Sequence, residues 1–145
     1  VNSELLKLYQ AQILEHHRNP LFQGKGTHCP IQLDARNPLC GDELKLYLEI
    51  DSGHFHQLWF TAEGCALSRA SASMMTGYLQ SKPIDESQHI IESLIENLKS
   101  PTPQELPEPL QPLASVRAFP ARMKCALMVW ETLQHFLKTQ SQPSF

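Results

Sequence analysis

The chain is short of positive charge, of paired cysteines and of long apolar runs, and each shortage closes off a class of protein. Twelve Lys and Arg stand against 15 Asp and Glu, for a formal net charge of −3. Phosphate backbones are bound by clustered cations, so no nucleic-acid partner is expected. No apolar stretch reaches the ~20 residues of a membrane-spanning helix, so no membrane partner is expected either. The opening residues, Val1-Asn2-Ser3-Glu4-Leu5, lack a basic region followed by an apolar core. No secretory signal is therefore expected, and a cytoplasmic location is the default. The four cysteines include no CxxC pair, which argues against a zinc finger or ribbon. In a reducing compartment, scattered cysteines are more often ligands or reactive thiols than disulfides.

What remains is an ordinary globular composition, 41% hydrophobic and 19% charged over 145 residues, which predicts a single domain over residues 1–145. Residues 3–18 predict an amphipathic helix: Ser3 is a good N-cap, and Leu5, Leu6, Tyr9, Ile13 and Leu14 recur at helical spacing. Asn19-Pro20 ends it. Residues 31–36 predict a short edge strand. Leu44, Leu46, Leu48 and Ile50 then alternate with polar or aromatic residues, the period of a half-buried strand. Asp51-Ser52-Gly53 predicts a hairpin turn, and residues 55–62 return as a third strand. A helix rich in small residues follows over 66–79, able to let another backbone approach closely. A second, with a stripe of Ile90, Ile91, Leu94, Ile95 and Leu98, covers about 85–99.

Six of the 11 prolines fall within residues 101–120. Leu106, Leu110, Leu113 and Val116 predict that this stretch packs on the domain with one short helical turn. Pro120 suits the first turn of a last helix, ending near Lys138, and residues 141–145 are expected to be a loose tail. The predicted class is α+β: a small three-stranded antiparallel sheet packed against several helices.

Three cysteines and one aspartate stand where these elements change. Cys40 and Asp42 flank Gly41 on the turn before the second strand, close enough in sequence to converge on one ion. Cys65 lies between a strand and a helix, where unpaired N–H groups and the helix dipole favour a thiolate. Cys125 lies in the first turns of the last helix, on the side expected to carry Arg122 and Val129. Arg122 and Lys124 are candidates to tune Cys125 or to contact a partner. Three thiolates and a carboxylate are an acceptable set for zinc, and soft sulfur donors also suit iron in a cluster. On spacing alone these cysteines also fit small buried hydrophobes. Cys29 matches no such pattern and is expected to be an incidental thiol. His16 and His17 are expected to be structural or solvated, His54 and His56 solvated, and Trp59 and Trp130 core.

The segments Asn37-Pro38-Leu39-Cys40-Gly41-Asp42, Glu63-Gly64-Cys65-Ala66 leading into Ser71-Ala72-Ser73-Met74-Met75, and Phe119-Pro120-Ala121-Arg122-Met123-Lys124-Cys125-Ala126 resemble the IscU/NifU-like family of iron–sulfur cluster assembly scaffolds. Tyr9, Ile13, His16 and Asn19-Pro20 fit as well, so the resemblance covers nearly the whole chain. It is closer to the SufU branch, because Lys124 stands where the IscU branch usually has His and because residues 101–120 look like a SufU insertion. That branch implies zinc held by Cys40, Asp42, Cys65 and Cys125. It also implies sulfur acceptance from a SufS-type cysteine desulfurase, which displaces Cys40 from the metal so that Cys40 takes the persulfide sulfur, and downstream iron–sulfur assembly partners. The chain would then act as a sulfurtransferase partner of the desulfurase. The IscU branch implies instead a non-enzymatic scaffold holding a [2Fe–2S] cluster, with iron, at the same positions. A third possibility, outside sulfur chemistry, is a small zinc-stabilised interaction module.

Overall fold

The structure, a computed structural model, describes residues 3–37 and 41–141. Helix α1 (Ser3–Arg18) leads into strands β1 (Ile31–Asn37), β2 (Asp42–Asp51) and β3 (His54–Glu63), followed by α2 (Ala66–Leu79) and α3 (Ile84–Lys99). A 3-10 stretch (Glu108–Ala118) and a 3-10 turn (Pro120–Arg122) precede α4 (Met123–Ser141). The strands form one antiparallel sheet in the order β1-β2-β3, so the chain adopts the expected α+β architecture.

The sheet's inner face is built from the alternating leucines. Leu44, Leu46 and Leu48 of β2 are buried with Leu58 and Phe60 of β3, against α2, α3 and α4. Ser52 and Gly53 turn the hairpin with φ of 52° and 76°, the left-handed pair whose twist matches the flanking strands. The register slips between Glu49 and Ile50: Glu49 faces Gln57 and Ile50 faces Phe55. His56 is left as the extra residue, and the bulge brings Phe55 onto the buried side. Trp59 was expected in the core and is not there. It is half-buried on the outer face of the sheet, roofed by the 20–30 loop, with the Phe22 ring edge-on at 5.3 Å. That loop adds to the free edge of β3, where the Gly24 N–H donates to the Phe60 carbonyl (2.7 Å) and the Phe60 N–H to the Phe22 carbonyl (3.0 Å). Trp130 is fully buried, as expected.

The small face of α2 does what small residues permit. The Ser71 hydroxyl donates to the Ala126 carbonyl of α4 at 2.6 Å and accepts the Trp130 indole N–H at 2.9 Å. On the α1 side, Ser73 Oγ accepts the Leu21 N–H and pairs with His16 Nδ1, each at 2.8 Å. A Cβ at Gly77 would come within 2.6 Å of Leu21 Cδ1. No residue of α1 is fully buried. Leu14, expected on the inner face, is 44% exposed, and His16 is half-buried and bonded rather than solvated.

The proline-rich stretch packs on the core through Leu106, Leu110, Leu113 and Val116, all buried. Its conformation departs from the single short turn expected: residues 108–118 form 11 residues of 3-10 helix. Prolines at 109 and 112 remove N–H donors, and Leu110, Leu113 and Val116 share one face at three residues per turn. The last helix starts at Met123, after a 3-10 turn, and reaches Ser141 rather than Lys138. Residues 142–145, most of the expected loose tail, lie outside the described residues.

Candidate metal centre

Register and capping bring the site together. The pairing of Glu43 with Glu63 sets Asp42, the first residue of β2, beside the Gly64-Cys65 step that ends β3. Gly64 has φ of 128°, and a Cβ there would lie 2.8 Å from Asp42 Cα and collide with the Asp42 carboxylate. Only glycine fits that step. Cys65 is the N-cap of α2, with φ −74° and ψ 156°, and its Sγ accepts the Ser68 N–H at 3.4 Å. Cys125 arrives from the first turn of α4, held by the close α2–α4 contact through Ser68 and Ser71.

Asp42 is completely buried, Cys125 nearly so at 7% exposure, and Cys65 is half-buried. A carboxylate out of water needs donors. The Cys65 N–H reaches Asp42 Oδ1 at 2.7 Å, and the Ser68 hydroxyl (2.7 Å) and Cys65 Sγ–H (3.4 Å) reach Oδ2. One ligand atom from each of Asp42, Cys65 and Cys125 lies within 4.8 Å of the others. A tetrahedral ion with metal–sulfur bonds of ~2.3 Å puts its sulfurs about 3.8 Å apart, so a small side-chain adjustment would seat one. The donor set fits a zinc ion or the iron of a sulfur cluster. Leu67, Val116 and Ala126 are buried around Cys125, with Ile13 and Met123 against them. These side chains limit water at the sulfurs.

Cys40 lies outside the described residues. Its neighbours Asn37 and Gly41 are joined by a Gly41 N–H to Asn37 carbonyl bond of 2.9 Å, and Gly41 has φ of 72°. Arg122 stands three residues before Cys125, in the 3-10 turn Pro120–Arg122 that precedes α4. Its side chain and that of Lys124 are exposed, with no ion pair among the described residues. Cys29 sits beyond the Ile31–Leu48 end of the sheet beside Trp59 and Gln57, far from Asp42. Burial, and then Glu49, push its thiol pKa up. None of the described cysteines forms a disulfide. His54 and His56 are exposed. The sequence argument missed Ser68, which looked like one more small residue on α2, and Gly64. The signal for Ser68 was its place three residues after an N-cap cysteine.

No helix among the described residues is long and apolar enough to cross a membrane. The family model for the NifU-like N terminal domain matches residues 8–139. The zinc-dependent sulfurtransferase SufU of Bacillus subtilis is 34% identical over 136 residues, covering 92% of this chain and 91% of that protein. The iron–sulfur cluster assembly scaffold protein IscU of Streptococcus pyogenes is 33% identical over 141 residues, covering 94% and 86%. Among solved structures, a protein from Fervidobacterium islandicum described as an iron–sulfur cluster assembly scaffold for the SUF system superposes with a TM-score of 0.81. It is 26% identical, with 94% of this chain and 99% of that one covered. With sequence, fold and donor cluster in agreement, the chain belongs to the NifU-like N-terminal domain family, the IscU/SufU group of iron–sulfur cluster assembly scaffolds.

Proposed function

We propose that this protein accepts sulfur from a SufS-type cysteine desulfurase at a zinc centre formed by Cys40, Asp42, Cys65 and Cys125, with Cys40 as the acceptor. The convergence of Asp42, Cys65 and Cys125 to within 4.8 Å carries the proposal. Asp42 is one glycine from Cys40, so covalent geometry keeps the fourth donor within two peptide links, about 7 Å between Cα atoms at most. The likeness to a zinc-dependent sulfurtransferase over nearly the whole chain supports zinc. Bound zinc would keep the cysteine ligands deprotonated at neutral pH.

The transfer itself is a thiol–persulfide exchange. The Cys40 thiolate attacks the terminal sulfur of the desulfurase persulfide, a new S–S bond forms on Cys40, and the bond to the desulfurase cysteine breaks, returning that cysteine as a thiolate. No net oxidation occurs. Burial of Asp42 and Cys125 leaves little room for a partner at those two side chains, and iron–sulfur assembly proteins downstream would receive the sulfur. Operation in the cytoplasm is part of the same proposal.

The test is mass spectrometry of the protein after incubation with a cysteine desulfurase and L-cysteine, with metal content measured on the same sample. A +32 Da adduct on Cys40 with about one zinc per chain supports the proposal. A Cys40→Ser protein that accepts sulfur as fast as wild type contradicts it. The second reading, a scaffold that builds and hands on a [2Fe–2S] cluster at the same residues, is favoured by the likeness to IscU scaffolds. Anaerobic reconstitution giving a stable cluster with sulfur-to-iron charge-transfer absorbance would select it.

A further inference from the structure

Ser68 is 2% exposed and touches Asp42, Cys65 and the backbone of Cys125. Its hydroxyl is 2.7 Å from Asp42 Oδ2, 3.3 Å from the Cys125 carbonyl and 3.5 Å from Cys65 Sγ. A serine near a helix start commonly spends its hydroxyl on capping. Here the cap is supplied by Cys65 Sγ, which accepts the Ser68 N–H, and the hydroxyl points across to β2 instead. It has one proton to give, and the short contact to the carboxylate takes it.

The two Asp42 oxygens are therefore distinguished. Oδ1 accepts the Cys65 N–H, whereas Oδ2 faces the Cys65 sulfur at 3.4 Å. We propose that Ser68 is a positioning residue for the metal centre: its hydroxyl holds the Asp42 carboxylate so that Oδ2 faces the Cys65 sulfur. The inference rests on the metal-centre reading above. A donor on a ligand carboxylate orients it and sets its strength, and removing such a donor typically weakens metal binding 10–100-fold.

A double-mutant cycle on zinc affinity tests this, by competition against a chromophoric chelator, in the full chain. Ser68→Ala should weaken zinc binding about tenfold. In an Asp42→Ala background the same change should alter affinity by less than about twofold, because the hydroxyl has no carboxylate left to place. Cobalt-loaded Ser68→Ala should also show a shifted d–d band. Should the alanine variant not fold, Ser68→Thr, which keeps the hydroxyl, carries the test: a cobalt d–d spectrum like that of wild type supports the role, and a changed one overturns it. Equal losses in both backgrounds, or an unchanged affinity in Ser68→Ala, overturn the role of Ser68 while leaving the metal centre standing. A wild-type chain that takes up no zinc removes both.

Discussion

The backbone N–H of Cys65 donates to Asp42 Oδ1 across 2.7 Å, joining the end of β3 to the start of β2 at the point where α2 begins. The bond ties the carboxylate of one candidate ligand to the peptide of another. It exists because Gly64, between them, has no side chain.

Gly64→Ala should therefore damage the site and the fold together. A left-handed φ held by a non-glycine residue costs of order 1–3 kcal/mol, and the Cβ would also collide with the Asp42 carboxylate. The expected outcome is an unfolding free energy lowered by about 1–3 kcal/mol and a metal stoichiometry well below that of wild type. Near-normal values of both would show that the turn relaxes freely.

Ser71→Ala separates packing from chemistry. It strips the buried Trp130 indole N–H of its acceptor and the Ala126 carbonyl of a donor. An orphaned buried donor costs about 1–3 kcal/mol, so urea unfolding should show that loss with an unchanged m-value. Zinc affinity, measured below the unfolding transition, should change little.

His16 predicts the acid side of stability. Its pKa is lowered from 6.5, chiefly by burial against α2, with Glu15 opposing. The folded state therefore prefers the neutral ring. The corresponding stability is fully present above the unfolded pKa of about 6.5 and is lost as pH falls through the lower folded value. In metal-free protein, the Tm should drop between pH 7.5 and 5.5, and His16→Gln should show a shallower drop. An equal drop in both would place the acid sensitivity elsewhere.

Cys29→Ser should leave metal content and persulfide acceptance unchanged, because Cys29 lies at the opposite end of the sheet from Asp42. Loss of either would place a fifth residue in the site.

Much of this fold was legible because its signals are local. The limits of α1 and α2 follow from periodicity bounded by Asn19-Pro20 and by Gly64-Cys65, and β2 from its alternating leucines. The misses share a different origin. Trp59 lies outside the core because the unbroken alternation of β3 past its bulge turns Leu58 and Phe60 inward and Trp59 outward, which its apolar bulk alone does not reveal. The 3-10 run is longer than the single turn expected, although Leu110, Leu113 and Val116 stand three apart in the sequence. At the metal centre, the residue types and their places at element junctions could be named from the sequence. The orientation of Asp42 could not, because it depends on Ser68, whose hydroxyl crosses 26 positions to reach it.

X-ray absorption at the zinc edge of the zinc-loaded wild-type chain bears most directly on the claim that three thiolates and one carboxylate share an ion. The expected spectrum has a shell of three sulfurs at ~2.3 Å and one oxygen at ~2.0–2.2 Å. A first shell of nitrogen and oxygen alone would contradict it.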